Sequence, residues 1–180
     1  MTDSIIRETI DSDDIDPDFV DTLVEAGADR IRTCIQCGTC SSVCPSGRRT
    51  AFRTRELIRK ALLGLREDVL SSPDLWLCAT CQTCLERCPR QIKTTDAIII
   101  MRNMAVKEGF MLPQHRKASM KLLETGHAVP IDEANMKMRK ELDIGEIPPT
   151  VHSDKKALNQ VKQIMEKTGF KKLIENQEEK

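Results

Sequence analysis

The chain has 180 residues and is formally neutral, with 28 Lys+Arg against 28 Asp+Glu. Neutrality argues against a general nucleic-acid binder, which needs a basic surplus to displace counterions. Aromatic residues are only 3% of the chain, with no Tyr, so base-stacking platforms are not expected. No apolar run approaches the ~20 residues of a membrane span. The segment Met1 to Ile10 lacks the basic start and apolar stretch of a secretory signal. The expectation is a soluble, cytoplasmic protein of one domain with extensions, or of two small ones.

The charge is neutral in sum but segregated. Residues 1–29 carry ten acids against the one base Arg7, and residues 30–66 carry nine bases against the one acid Glu56. A charge run is ordinarily a solvated face. The sharper reading is that the basic block faces something anionic, inside or outside the chain.

In chain order the elements read as helices and loops. Asp16-Pro17 opens a helix with Phe19, Val20, Leu23 and Val24 on one face and Gly27 as its stop. Thr54 caps a second, with Leu57, Ile58, Ala61, Leu62 and Leu65 on one side and Arg55, Arg59 and Lys60 on the other; Gly64 ends it. Ser72-Pro73-Asp74 starts a short helix running into Cys78. Thr94 or Thr95 starts a mostly buried helix through Ala97, Ile98 and Met101 to Gly109, and residues 114–125 form another, ended by Gly126. Pro130 and Ile147-Pro148-Pro149 then punctuate connectors around a short helix from Glu133 to Leu142. Ser153 caps a helix whose stripe is Leu158, Val161, Ile164 and Met165, stopped by Gly169; the charged tail from Lys171 is expected to fray. No period-2 strand pattern of useful length is present. The fold class is all-α, with domains expected at 1–29 (acidic segment), 30–126 (cysteine-bearing) and 127–180 (helical extension and subunit-contact arm).

All eight cysteines lie in two short clusters. Cys34, Cys37, Cys40 and Cys44 precede Pro45; Cys78, Cys81, Cys84 and Cys88 precede Pro89. Both clusters read C-x2-C-x2-C-x3-C-P, at a constant offset that also relates Thr39 to Thr83. This is an internal repeat, two half-sites about a pseudo-twofold axis. The spacing is that of bacterial two-cluster iron–sulfur proteins. A cubane needs four thiolates. Three at x2 spacing wrap one loop around three corners, and the fourth, leading directly through Pro into the next element, serves the other cluster. The expected ligand sets are therefore Cys34, Cys37, Cys40 and Cys88 for one [4Fe-4S] cluster, and Cys78, Cys81, Cys84 and Cys44 for the other.

Alternatives fit less well. Structural zinc takes four ligands as two pairs, leaving the third close Cys surplus. A disulfide framework needs an oxidising compartment. A thioredoxin-like dithiol needs a C-x-x-C beside a βαβ unit. His115, His127 and His152 are isolated in sequence and read as surface or hydrogen-bonded residues. Trp76 reads as packing under the cysteine loop rather than as an electron conduit.

Small bacterial ferredoxins join their motifs with β-hairpins, whereas residues 45–77 carry a capped amphipathic helix. That resembles the α-helical ferredoxin module, as found in the iron–sulfur subunits of succinate dehydrogenase and fumarate reductase, without cysteines for their additional [2Fe-2S] domain. Further stretches are more specific: Cys44-Pro45-Ser46-Gly47-Arg48-Arg49-Thr50, Thr54 to Ala61, Trp76 to Cys81, Arg102-Asn103-Met104-Ala105 and Gly126 to Pro130. Over roughly residues 20–170 the chain resembles the iron–sulfur C subunit of heterodisulfide reductase. The resemblance implies an electron relay between two other subunits, one flavin-bearing and one catalytic. That complex reduces the coenzyme M–coenzyme B heterodisulfide in methanogenesis, fed by a [NiFe]-hydrogenase or formate dehydrogenase with flavin-based electron bifurcation. The alternative is the iron–sulfur subunit of another flavin-dependent dehydrogenase, glycolate-oxidase-like or glycerol-phosphate-dehydrogenase-like. No close Gly pair offers a G-x-G-x-x-G loop, and no Cys-Cys pair is present, so flavin and substrate sites are expected on other chains.

Overall fold

The computed structural model describes residues 9–175. Among them there is no strand, and the chain divides into two compact units, residues 1–108 and 109–180.

In the first unit, α1 (Phe19–Glu25), α3 (Thr54–Leu62), α4 (Arg66–Leu70) and α6 (Thr94–Lys107) share one core. Phe19 and Leu23 of α1, Leu57, Ile58 and Ala61 of α3, and Ala97, Ile98 and Met101 of α6 are all buried. Each large apolar side chain so buried is worth about 1.5–3 kcal/mol. The stripe of α1 thus packs into its own unit and is not available for docking elsewhere. Of the α6 isoleucines, Ile98 is fully buried but Ile99 is 40% exposed, so that helix has one solvent edge.

Thr54 does not cap α3 with its side chain; Arg53 takes the cap position and Thr54 turns inward, 1% exposed. The turn after α3 requires glycine. Gly64 has φ +76°, and a Cβ there would stand 2.5 Å from the Asp16 carbonyl oxygen. The Asp16 amide donates to the Gly64 carbonyl at 2.8 Å, so the acidic segment lies directly on this turn. Segregated charge partly pairs inside the chain. Arg66 bridges Asp16 and Glu108 and lies over the Phe19 ring, and Arg32 pairs with Asp21.

Two four-residue helices, α2 (Thr39–Ser42) and α5 (Thr83–Glu86), follow the cysteine loops and pack against each other. A 3-10 turn, Pro73–Leu77, leads into Cys78 and is capped by the Ser72 hydroxyl, which accepts from the Asp74 amide.

The second unit holds α7 (Pro113–Thr125), α8 (Glu133–Glu141), α9 (Lys155–Lys167) and α10 (Phe170–Glu175). Three details differ from the sequence reading. The α9 cap is Asp154, which accepts from the Lys156 and Ala157 amides, while Ser153 belongs to a preceding 3-10 turn. A carboxylate at the helix start also suits the helix dipole. Residues 170–175 do not fray but form a helix that buries Ile174 completely, its carbonyl accepting from Arg116 Nε at 3.2 Å. The helix of residues 114–125 belongs with this unit, not with the cysteine motifs. Residues 1–8 and 176–180 lie outside the described part, so the tip of the acidic segment and the end of the tail carry no structural statement.

Candidate metal centre

The sequence repeat has a backbone counterpart. Gln36 and Thr80, at equivalent places in the two motifs, have φ +55° and +51°. Gly38 and Gln82, also equivalent, have +84° and +62°. Non-glycine residues held in this region cost about 1–2 kcal/mol each, so the loops are over-determined by their surroundings. Left-handed residues within a tight loop turn successive amides to one side, a concavity that suits an anionic cluster.

Each loop borders a cavity, and each cavity draws on both motifs. One is lined by Cys34, Cys37, Cys40 and Cys88, the other by Cys78, Cys81, Cys84 and Cys44. Each cavity is bordered by four thiols, the number a cubane takes, one at each iron corner.

Sulfur partners repeat across the pseudo-axis. Thr39 Oγ1 lies 3.4 Å from Cys37 Sγ, and Thr83 Oγ1 lies 3.4 Å from Cys81 Sγ. The last cysteine of each motif also accepts from a following backbone amide at 3.4 Å, but from different positions: Gly47, three residues beyond Cys44, and Ile92, four beyond Cys88. At the remaining positions the donors differ. Gln36 Nε2 donates to Cys34 at 3.3 Å where the Thr80 amide donates to Cys78 at 3.4 Å. Only Cys84 has the buried Thr95 hydroxyl beside it, at 3.4 Å. Arg102 of α6 donates to the carbonyls of Leu75 (2.9 Å) and Cys78 (2.6 Å), and its guanidinium lies 5.6 Å from the Trp76 ring centroid. Trp76 is therefore part of the clamp that holds the start of the second loop.

Five of the thiols are shifted, two down and three up. Cys37 and Cys81 are exposed, and the hydroxyls of Thr39 and Thr83 hold them below the ordinary thiol range. Burial pushes Cys40 up to about 11, with the nearby Cys84 adding to the rise. Burial also raises Cys84 and Cys78, the latter opposed by the Thr80 amide and the Arg102 charge. Cys40 lies on α2 and Cys84 on α5, and these two helices pack against each other, so the inner corners of the two cavities are neighbours. Burial disfavours a bare thiolate here, so iron must displace these protons on binding.

Thr95 beside Cys84, Arg102 behind the second loop and Thr54, which lines the second cavity, were not singled out as site residues by the sequence. Thr39 and Thr83 were visible through the repeat, but nothing in the spacing showed a hydroxyl on sulfur. Thr95 lies one helix further along the chain, and only the packing of α6 under α5 brings it to Cys84.

A family model described as a 4Fe-4S dicluster domain matches residues 30–92. The chain is thus an iron–sulfur protein that carries two [4Fe-4S] clusters. Several curated proteins are similar along most of its length. The C subunit of the H(2):CoB-CoM heterodisulfide,ferredoxin reductase of Methanothermobacter marburgensis is 48% identical over 89% of this chain and 86% of its own. The iron-sulfur C subunit of the CoB--CoM heterodisulfide reductase of Methanopyrus kandleri is 43% identical over 96% and 92%. The C subunit of the Ferredoxin/F(420)H(2)-dependent CoB-CoM heterodisulfide reductase of Methanosarcina acetivorans is 49% identical over 84% and 94%. The chain belongs to this family, the iron–sulfur C subunits of heterodisulfide reductase. Among the described residues no helix is long and apolar enough to cross a membrane.

Proposed function

We propose that this chain relays electrons from the flavin-bearing subunit of heterodisulfide reductase to its catalytic subunit, which reduces the coenzyme M–coenzyme B heterodisulfide in the cytoplasm. A [NiFe]-hydrogenase or formate dehydrogenase feeds the complex. The observation that carries this reading is the pair of cavities, each lined by four cysteines drawn from both motifs, with Cys40 and Cys84 on helices α2 and α5 that pack against each other. When bound, the clusters supply one-electron transfer at a potential the protein sets. The ligand sets are Cys34, Cys37, Cys40 and Cys88 for one cluster and Cys78, Cys81, Cys84 and Cys44 for the other. The left-handed loops shape the two spaces, and Thr39, Thr83 and Thr95 offer hydroxyl protons to sulfur.

Thr95→Val keeps the side-chain shape and removes one such proton. The substitution is expected to lower the potential of the cluster beside Cys84 by up to about 59 mV, the one-electron equivalent of a tenfold change. The other cluster should be unaffected, as read by a redox titration followed by electron paramagnetic resonance (EPR).

Residues 127–180 act as the subunit-contact arm. Val129, Met138, Leu142, Ile144 and Ile147 are each more than half exposed, a concentration of bare apolar side chains that suits a covered face. Because α9 and α10 pack on α7, a cut inside the unit would unfold it; the boundary at Gly109 is the better place. Removing residues 109–180 is expected to leave both clusters intact by EPR and to weaken co-purification with the flavin-bearing and catalytic subunits at least tenfold. Undiminished assembly would remove the arm from the proposal, and co-purification of the full chain with neither of them would overturn the relay.

A further inference from the structure

The two cysteine loops share a backbone and differ in surface. Between the first two cysteines of one motif stands Ile35, 61% exposed; the equivalent residue of the other motif is Ala79. Cys37, two residues on, is itself exposed. Arg55, near the start of α3, and Arg90, following Cys88-Pro89, line the same cavity. Both are exposed, and among the described residues neither side chain is held in an ion pair. Arg30 approaches the same rim, its Nη1 donating to Gln91 at 3.2 Å. The other cavity has no charged residue in its lining. The pseudo-symmetry therefore breaks at the surface: one loop is apolar at its tip with two exposed arginines lining its cavity, while the other has a small residue at its tip and no charged residue in its cavity lining, the half-buried Arg102 donating to backbone carbonyls behind it.

A single exposed isoleucine is common on protein surfaces. This one stands next to an exposed candidate ligand, within a rim of arginines, the charged residue favoured in interfaces. We propose that the Cys34–Cys37 loop is the docking port for one redox-partner subunit. Ile35 enters an apolar recess of that partner, and Arg55 and Arg90 meet carboxylates around it. The port places the exposed Cys37 edge against the partner, which shortens the path for an electron to or from the cluster of Cys34, Cys37, Cys40 and Cys88. This rests on the ligand sets and partner subunits proposed above. A second copy of the chain is a poor occupant, because two arginine rims would face each other. A lipid surface is also a poor occupant, because one isoleucine offers little area to insert.

The test uses the full chain with both clusters reconstituted, and the variants Ile35→Ser, Arg55→Glu and Arg90→Glu. Iron content and EPR establish that the clusters are retained, and affinities are measured for the flavin-bearing and catalytic subunits, each purified separately. Each variant is expected to bind one of the two at least tenfold more weakly and the other unchanged. The unmodified chain should bind that partner less tightly as salt rises, and the arginine variants should lose part of this dependence. Unchanged affinity for both overturns the port, as does equal loss for both, or a loss matched by weaker self-association or weaker binding to anionic phospholipid vesicles. The three substitutions lie on separate segments, so cluster loss in one leaves two to decide; cluster loss in all three makes these residues structural and overturns the port. Failure of the unmodified chain to bind either partner overturns the partner reading itself, an outcome distinct from the others.

Discussion

Cys88→Ala is expected to damage the cluster of Cys34, Cys37 and Cys40, although Cys88 lies far along the chain within the other motif. The cavity lined by those three cysteines also includes Cys88, on the segment that runs through Pro89 towards α6. The Ile92 amide, donating to Cys88 at 3.4 Å, fixes the thiol in that direction. Removing one of four corner ligands leaves an iron open to solvent, and iron content should fall by about half. With the two clusters first distinguished by EPR, the surviving signal should be that of Cys78, Cys81, Cys84 and Cys44. Loss confined to that second cluster would show that each motif serves its own cluster and would remove the crossed assignment.

Removal of both clusters is expected to unfold residues 34–53 and 78–93 while loosening the rest of the first unit. Those segments contain only the four-residue helices α2 and α5, too short to stand alone, and their loops hold Gln36, Gly38, Thr80 and Gln82 at positive φ. Cluster binding supplies the energy that keeps them there, as metal-site binding becomes folding energy. The core of α1, α3, α4 and α6 has apolar contacts of its own, through Phe19, Leu23, Ile58, Ile98 and Met101. It should therefore retain part of its helicity. Hydrogen exchange on the cluster-free chain should show amides 34–53 and 78–93 exchanging freely and α6 still protected. Unchanged protection and circular dichroism after complete cluster removal would mean that the loops fold without metal. The thiols bear on assembly as well. With Cys40 pushed up to about 11 and Cys84 also raised, loading requires these protons to leave, so cluster insertion should be faster at higher pH.

Much of this was legible in the sequence, for identifiable reasons. The cysteine spacing is a direct record of loop geometry, so the two half-sites could be read from residue offsets, and they reappear as matched positive-φ positions, Gln36 with Thr80 and Gly38 with Gln82. Glycine stops at Gly27, Gly64, Gly126 and Gly169 marked helix ends because each sits at positive φ. Caps were less legible. Ser153 and Asp154 are both good cap residues side by side, and the choice between them was made by the 3-10 turn at Val151–Ser153. Ile174 lies in a strongly charged tail, and its burial depends on packing among α7, α9 and α10, which no local pattern encodes. The same limit hid Thr95 and Arg102. Each reaches the second cysteine loop across a helix packing, and sequence distance says nothing about that approach. The opposite charges of residues 1–29 and 30–66 were plain, but which acids pair internally was not. Asp16 and Asp21 take Arg66 and Arg32, while Arg55 and Arg90 stay free of ion pairs among the described residues.

The most direct measurement is EPR of the fully reduced full-length chain, prepared without oxygen, alongside iron and acid-labile sulfide content. The packing of α2 on α5, which carry Cys40 and Cys84, predicts two [4Fe-4S] clusters per chain whose signals broaden through magnetic interaction, as a relay between adjacent cavities requires. One cluster per chain, or two whose signals simply add, would contradict it.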